Sequence, residues 1–105
     1  MLRDRKMESL LLDYYGDLLT THQKQILDDY FNEDLSMNEI AENLSISKSA
    51  VQDLIKRSLS QLKNYEKVLK MIDSDQKIRE ILDEIKNENS EITEKYIRKI
   101  EKIVK

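Results

Sequence analysis

Residues 36–62 read SMNEIAENLSISKSAVQDLIKRSLSQL. Ser36 precedes a short apolar-periodic segment, and Glu39 follows three residues later. That is a capping box, in which hydroxyl and carboxylate reciprocally satisfy free N–H groups at a helix start. Ile40, Ala41 and Leu44 then share one helical face. Leu44-Ser45-Ile46-Ser47 breaks the period, and Ser47 is a good cap for a second helix whose apolar residues are Val51, Leu54 or Ile55, and Leu59. The pattern is that of a helix-turn-helix. Ala41 supplies the small residue where the helices cross, and Ile46 plugs the turn. Val51 and Leu54 or Ile55 pack back onto Ile40 and Leu44. Ser45 stands where such turns often carry Gly, so a left-handed backbone there carries a cost.

The other face of the second helix is polar. Ser47, Lys48, Ser49, Gln52 and Lys56 point outward, where a helix of this kind offers its N-terminal residues to base edges in the major groove. Asp53 lies on the same reading face. Its carboxylate repels phosphate but can accept a hydrogen bond from cytosine N4. Arg57 and the lysines after it fall near phosphates. The candidate nucleic-acid-binding set is therefore Ser47, Lys48, Ser49, Gln52, Asp53, Lys56 and Arg57.

Charge is distributed to match. The chain of 105 residues carries −3 overall, unusual for a dedicated DNA binder. Residues 21–44 hold Lys24 against six acidic residues, whereas residues 45–70 hold six basic residues against Asp53 and Glu66. The basic block coincides with the reading helix and its continuation, which favours phosphate contact. The alternative is an ordinary solvated helix face.

Working outward, the fold class is all-α: there is no Pro, Gly16 is the only glycine, and 37% of residues are charged. The length fits one domain with a thin core. A first helix over 5–19 would turn Met7, Leu10, Leu11, Tyr14 and Leu18 inward. A second, capped by Thr20 or Thr21, would bury Ile26, Leu27, Tyr30 and Phe31. The fourth helix is long. Val51, Ile55, Ser58, Leu62, Tyr65, Leu69 and Ile72 form a heptad seam of about three repeats with Ser58 as its polar member. Asp73-Ser74-Asp75 reads as a cap cluster for a fifth helix, with Ile78, Ile81, Leu82 and Ile85 inward. A sixth follows Ser90, with Ile92, Tyr96, Ile97, Ile100, Ile103 and Val104. About six helices result, as a helix-turn-helix domain over 1–72 (motif 36–62) and a helical extension of the same domain over 73–105. A small chain has little core to cover three apolar stripes at once, so the seam and the last two helices either pack on one another within the chain, as most of the seam does on this reading, or pair with a second copy in a symmetric homodimer.

Several chemistries lack their residues. There is no Cys, hence no disulfide and no thiolate metal site. His22 is the only histidine, which disfavours a transition-metal centre. With one glycine no Gly-rich phosphate loop can form. Acidic neighbours such as Asp28-Asp29 and Asp83-Glu84 do not face each other on a helix. The chain reads as a non-enzyme without a cofactor. It has no apolar run long enough to span a membrane and no signal peptide, so it reads as cytoplasmic.

Residues 18–25 (LLTTHQKQ), 32–36 (NEDLS), Glu39-Ile40-Ala41 and 47–51 (SKSAV) resemble the DNA-binding C-terminal region of housekeeping sigma factors. The chain is more similar still to the YlxM family, small bacterial helix-turn-helix proteins whose genes commonly neighbour those of the signal recognition particle GTPase. The resemblance rests on Leu12-Asp13-Tyr14-Tyr15, Ser36 to Glu42, Ala50-Val51, Ile55-Lys56-Arg57 and Leu62 to Glu66. It covers residues 7–72 well. It departs at Ser49 and Gln52, where relatives often carry Gln and Tyr. The resemblance implies a regulatory or accessory role in protein targeting, with a signal recognition particle component as partner. Two mechanisms are then open. Residues 47–57 read duplex DNA, or the same helix docks on an RNA or protein surface as an adaptor.

Overall fold

A computed structural model describes residues 4–88 and 91–104. Its elements are α1 (Arg5–Tyr15), a 3-10 turn (Gly16–Leu18), α2 (Thr21–Phe31), α3 (Met37–Leu44), α4 (Lys48–Leu69), α5 (Met71–Glu88) and α6 (Glu91–Glu101). No strand occurs among the described residues. The chain is all-α, and it divides into two compact units with the boundary between Leu69 and Lys70.

The helices of the first unit start where side chains can satisfy the free N–H groups. Asp4 Oδ1 accepts from Met7 N at 3.0 Å. Thr20, not Thr21, caps α2, in a capping box with Gln23. Ser36 and Glu39 form the expected box at 3.1 Å each way. Each such cap is worth about 0.5–2 kcal/mol.

Helix α4 is the spine of this unit and packs against α1, α2 and α3. Ile26, Leu27, Ile40, Val51, Ile55 and Leu62 are fully buried. Ile55 rather than Leu54 faces the core, and Leu54 is half-buried. Tyr30 and Phe31 are half-buried and meet edge to face at 5.0 Å. The Arg5 guanidinium lies 4.5 Å from the Tyr30 ring centre and donates to Tyr30 O at 3.0 Å, so one cation joins α1 to the negative end of α2.

The inward face of α1 differs from the expectation. Glu8, Leu11, Leu12 and Tyr15 are buried, while Met7 is exposed and Leu10 and Tyr14 are half-buried. The run Leu10-Leu11-Leu12-Asp13-Tyr14-Tyr15 offers two adjacent stripes about 100° apart. Tyr15 decides between them: its hydroxyl donates to Glu66 Oε1 at 2.5 Å, and its ring sits 6.2 Å from that of Tyr65. Leu18 is exposed because the α-helix ends at Tyr15 and the 3-10 turn redirects the chain at Gly16–Leu18.

Ser58 is 1% exposed, and its Oγ has no hydrogen-bond partner among the described residues. A buried unsatisfied hydroxyl costs about 1–3 kcal/mol. Ser58→Ala removes it and adds helix propensity. We expect this variant to gain about 1 kcal/mol, read as a higher urea midpoint with unchanged slope. A lower midpoint would show that the hydroxyl is satisfied in solution.

Helix α4 stops at Leu69, short of Ile72. Lys70 adopts φ 54°, a left-handed conformation that breaks the helix without Gly or Pro. Asp73, Ser74 and Asp75 therefore lie inside α5 instead of preceding it. In the second unit α5 and α6 pack together around buried Leu82 and Ile97, with Lys86 paired to Glu101 at 3.0 Å.

Candidate nucleic-acid interface

The turn between α3 and α4 sets the start of the candidate reading helix. Ser45 takes φ 55°, ψ 42°, the left-handed conformation its position requires. Ile46 N then bonds to Ala41 O at 3.1 Å and Ser45 N to Glu42 O at 3.2 Å, which closes the end of α3 in a Schellman-like turn. The Ile46 side chain does not plug the turn; it is 36% exposed, and the backbone bonds do the closing. Ala41 and Ile40 are buried on α3, and Val51 is buried on α4, so the corner is packed as its spacing implies. Ser45→Gly relieves the left-handed strain of a side chain, roughly 1 kcal/mol. Part of that is offset by the greater freedom of Gly in the unfolded chain. A small rise in thermal midpoint is expected, and a fall would mean that the Ser45 hydroxyl stabilises the turn.

Ser47 caps α4, its Oγ accepting from Ala50 N at 3.1 Å. No acidic residue lies in the first turn of α4, so its positive end meets solvent uncompensated. Ser47, Lys48, Ser49, Gln52, Asp53, Lys56 and Arg57 are all exposed. Gln52 and Lys56 sit side by side one turn apart, with Ser49 and Asp53 beside them around a shallow depression. By helical geometry Lys48, Gln52, Lys56, Lys63 and Lys67 fall within an arc of about 100°, and Arg57 lies about 180° from Lys48. The candidate set is thus brought to one exposed helix surface, but its two ends look different ways.

Arg57 is committed to an ion pair with Asp53, Nε to Oδ2 at 3.0 Å across one turn. Both side chains are more than half exposed, so the pair adds little stability. Its consequence is electrostatic. The carboxylate is partly neutralised, and Arg57 is drawn from the lysine arc. The i, i+4 spacing already carried this pairing in the sequence.

The sequence pattern had not indicated a groove beside the lysines. It has a volume of about 340 Å³ and an apolar floor that includes Met37, Ile55 and Leu59. Lys56 and Lys63 stand at it, and so does the buried Glu8 of α1. Only the i, i+4, i+7, i+11 series Gln52, Lys56, Leu59, Lys63 hinted at it, and the α1 contribution depended on which face of α1 turned inward. His22 is exposed on α2. No cluster of three or more possible metal-ligating side chains occurs among the described residues, and no helix among them is long and apolar enough to cross a membrane.

Comparison with known proteins agrees with this architecture. A family model described as "Putative helix-turn-helix protein, YlxM / p13 like" matches residues 2–103. A UPF0122 protein of Clostridium perfringens (strain ATCC 13124) is 46% identical over 103 residues, which cover 91% of this chain and 92% of that protein. A UPF0122 protein of Malacoplasma penetrans is 44% identical over 86 residues, covering 82% and 80%. One from Acetivibrio thermocellus is 41% identical, covering 91% and 92%. With the packed corner, the left-handed Ser45 and the exposed polar face of α4, these matches lead to one statement of identity: the chain belongs to the YlxM/p13-like helix-turn-helix family.

Proposed function

We propose that this protein is a non-enzymatic accessory or regulatory factor of the cytoplasm that binds duplex DNA through residues 47–57. The observation that carries the reading is the α4 surface. A capped helix start stands free of acidic residues, and Lys48, Gln52 and Lys56 are exposed along one arc behind it. Lys48, Lys56 and Lys63 have no ion-pair partner among the described residues, which leaves their charges available to phosphates. A role beside the signal recognition particle rests on the family resemblance alone. A homodimer, which would present two reading helices, belongs to the same proposal.

A second reading is favoured by the Asp53–Arg57 pair and the net charge of −3. In it, the helix and its apolar-floored groove dock on RNA or protein of the targeting machinery as an adaptor. Gel-shift titration at low salt separates the two. Binding to generic duplex DNA, with affinity falling at a log–log slope of about −0.9 per phosphate contacted, supports the DNA reading. No shift of any duplex at micromolar protein overturns it. A shift confined to the RNA of the signal recognition particle would carry the adaptor reading instead.

A further inference from the structure

The second unit leaves much of its apolar surface uncovered. Ile78 and Ile81 of α5, and Ile92, Tyr96, Ile100 and Ile103 beyond or within α6, are all exposed. Measured from the buried Leu82, Ile78 and Ile81 are centred about 70° round α5. Measured from Ile97, the other four are centred about 105° round α6, in the same rotational sense. The packing of α5 on α6, with Leu82 and Ile97 buried and Lys86 on Glu101, fits an antiparallel helical hairpin. An equal sense of rotation then puts both stripes on the same side of the hairpin. The result is one broad apolar face instead of two scattered strips.

We infer that this face is the dimer interface of the protein, covered by the same face of a second copy in a four-helix arrangement that lays α5 of each copy on α6 of the other. Two observations choose this occupant. The first is size. Together the six side chains expose as much as about three and a half fully exposed large residues. That is roughly 600 Å² per copy at ~150–250 Å² for a large side chain, close to the ~800 Å² per partner of a standard stable interface.

The second observation is charge. Residues 71–88 carry six acidic and three basic side chains, whereas residues 91–105 carry three acidic and five basic. A two-fold axis running along the helices sets acidic α5 over the partner's basic α6. An axis across the helices would set α5 against α5, with like net charges opposed. Glu80 and Glu84 flank the apolar stripe on α5, and Lys95 and Lys99 flank it on α6; the first axis brings these flanks together. Lys99 Nζ already lies 5.4 Å from the Tyr96 ring, at the edge of the stripe. Neighbouring helices are then all antiparallel, as in an up-down-up-down bundle. This inference rests on the homodimer of the proposed function, but the assembly makes no use of α4, so failure of the dimer and failure of DNA binding are read separately.

Sedimentation equilibrium of the full chain is the first test. About twice the chain mass is expected at ~50 µM, and a monomer up to ~100 µM would overturn the inference, since a micromolar affinity corresponds to roughly −8 kcal/mol. The double variant Ile81→Glu/Tyr96→Glu should be monomeric at the same concentration. Both side chains are 55% exposed, so the hairpin itself loses little. A variant that stays dimeric would place the interface elsewhere. The chain has no cysteine, so single cysteines report cleanly. Under mild oxidation a mixture of Ile81→Cys and Tyr96→Cys proteins should cross-link to each other. Cross-linking of Ile81→Cys to itself alone would show α5 on α5 and overturn the proposed pairing.

Discussion

Ile40→Ala is expected to lower the stability of the first unit by about 2–5 kcal/mol, the range for emptying a fully buried aliphatic position. Ile40 is 0% exposed and sits on α3, an eight-residue helix whose only other buried residue is Ala41. Helix α3 is too short to persist without its partners, so its place depends on this one packed face and on the Ser36–Glu39 box. The native stability of a domain this size is about 5–15 kcal/mol, and the loss would be a large share of it. Ala41→Leu tests the same corner from the opposite side. Ala41 is 7% exposed, and extra methylenes there should cost about 1–3 kcal/mol by overpacking. Urea melts followed by far-UV circular dichroism check both. Midpoints equal to that of the unaltered chain would show that α3 and α4 do not pack as described.

Local signals proved easiest to read from the residues. The Ser36–Glu39 box, the Ser47 cap and the left-handed Ser45 each depend on groups three or four residues apart, and spacing alone defines them. The polar face of α4 was legible for the same reason: burying Val51, Ile55 and Leu62 turns Ser49, Asp53, Lys56 and Arg57 outward. Long-range choices were not legible. The α1 face was settled by Tyr15 reaching Glu66, a contact 51 residues away in sequence. The end of α4 was settled at Lys70, a residue with no intrinsic preference for the conformation it adopts. The groove at Lys56 and Lys63 needed the correct face of α1, because Glu8 lines it. The Asp53–Arg57 pair is a different case. Its i, i+4 spacing permits the pair, but spacing alone does not decide whether an exposed carboxylate turns to its neighbour or stays free to face phosphate or cytosine N4.

Triple substitution of Lys48, Lys56 and Arg57 by Ala should weaken binding to every duplex sequence, by roughly a hundredfold or more near 0.1 M salt, with a log–log salt slope shallower by about two to three. All three side chains are exposed, so stability should move by no more than about 0.5 kcal/mol for each. Reduced binding will then not reflect unfolding. The three positions are not equivalent. Lys48 and Lys56 have no ion-pair partner among the described residues, whereas Arg57 is held by Asp53. Removing Arg57 also leaves the Asp53 carboxylate uncompensated on the proposed DNA-binding face, which adds repulsion to the lost attraction. Asp53→Asn makes the opposite change: it deletes one negative charge and releases Arg57. It should tighten non-specific binding several-fold and steepen the salt slope by up to about one as Arg57 finds a phosphate. Titration of the unaltered chain, the triple variant and Asp53→Asn on one duplex at several salt concentrations decides the matter. If the triple variant binds as tightly as the unaltered chain with the same slope, the amino-terminal half of α4 does not lie on the phosphates. An Asp53→Asn variant that binds more weakly would mean that this carboxylate accepts a hydrogen bond from a base, as it can from cytosine N4.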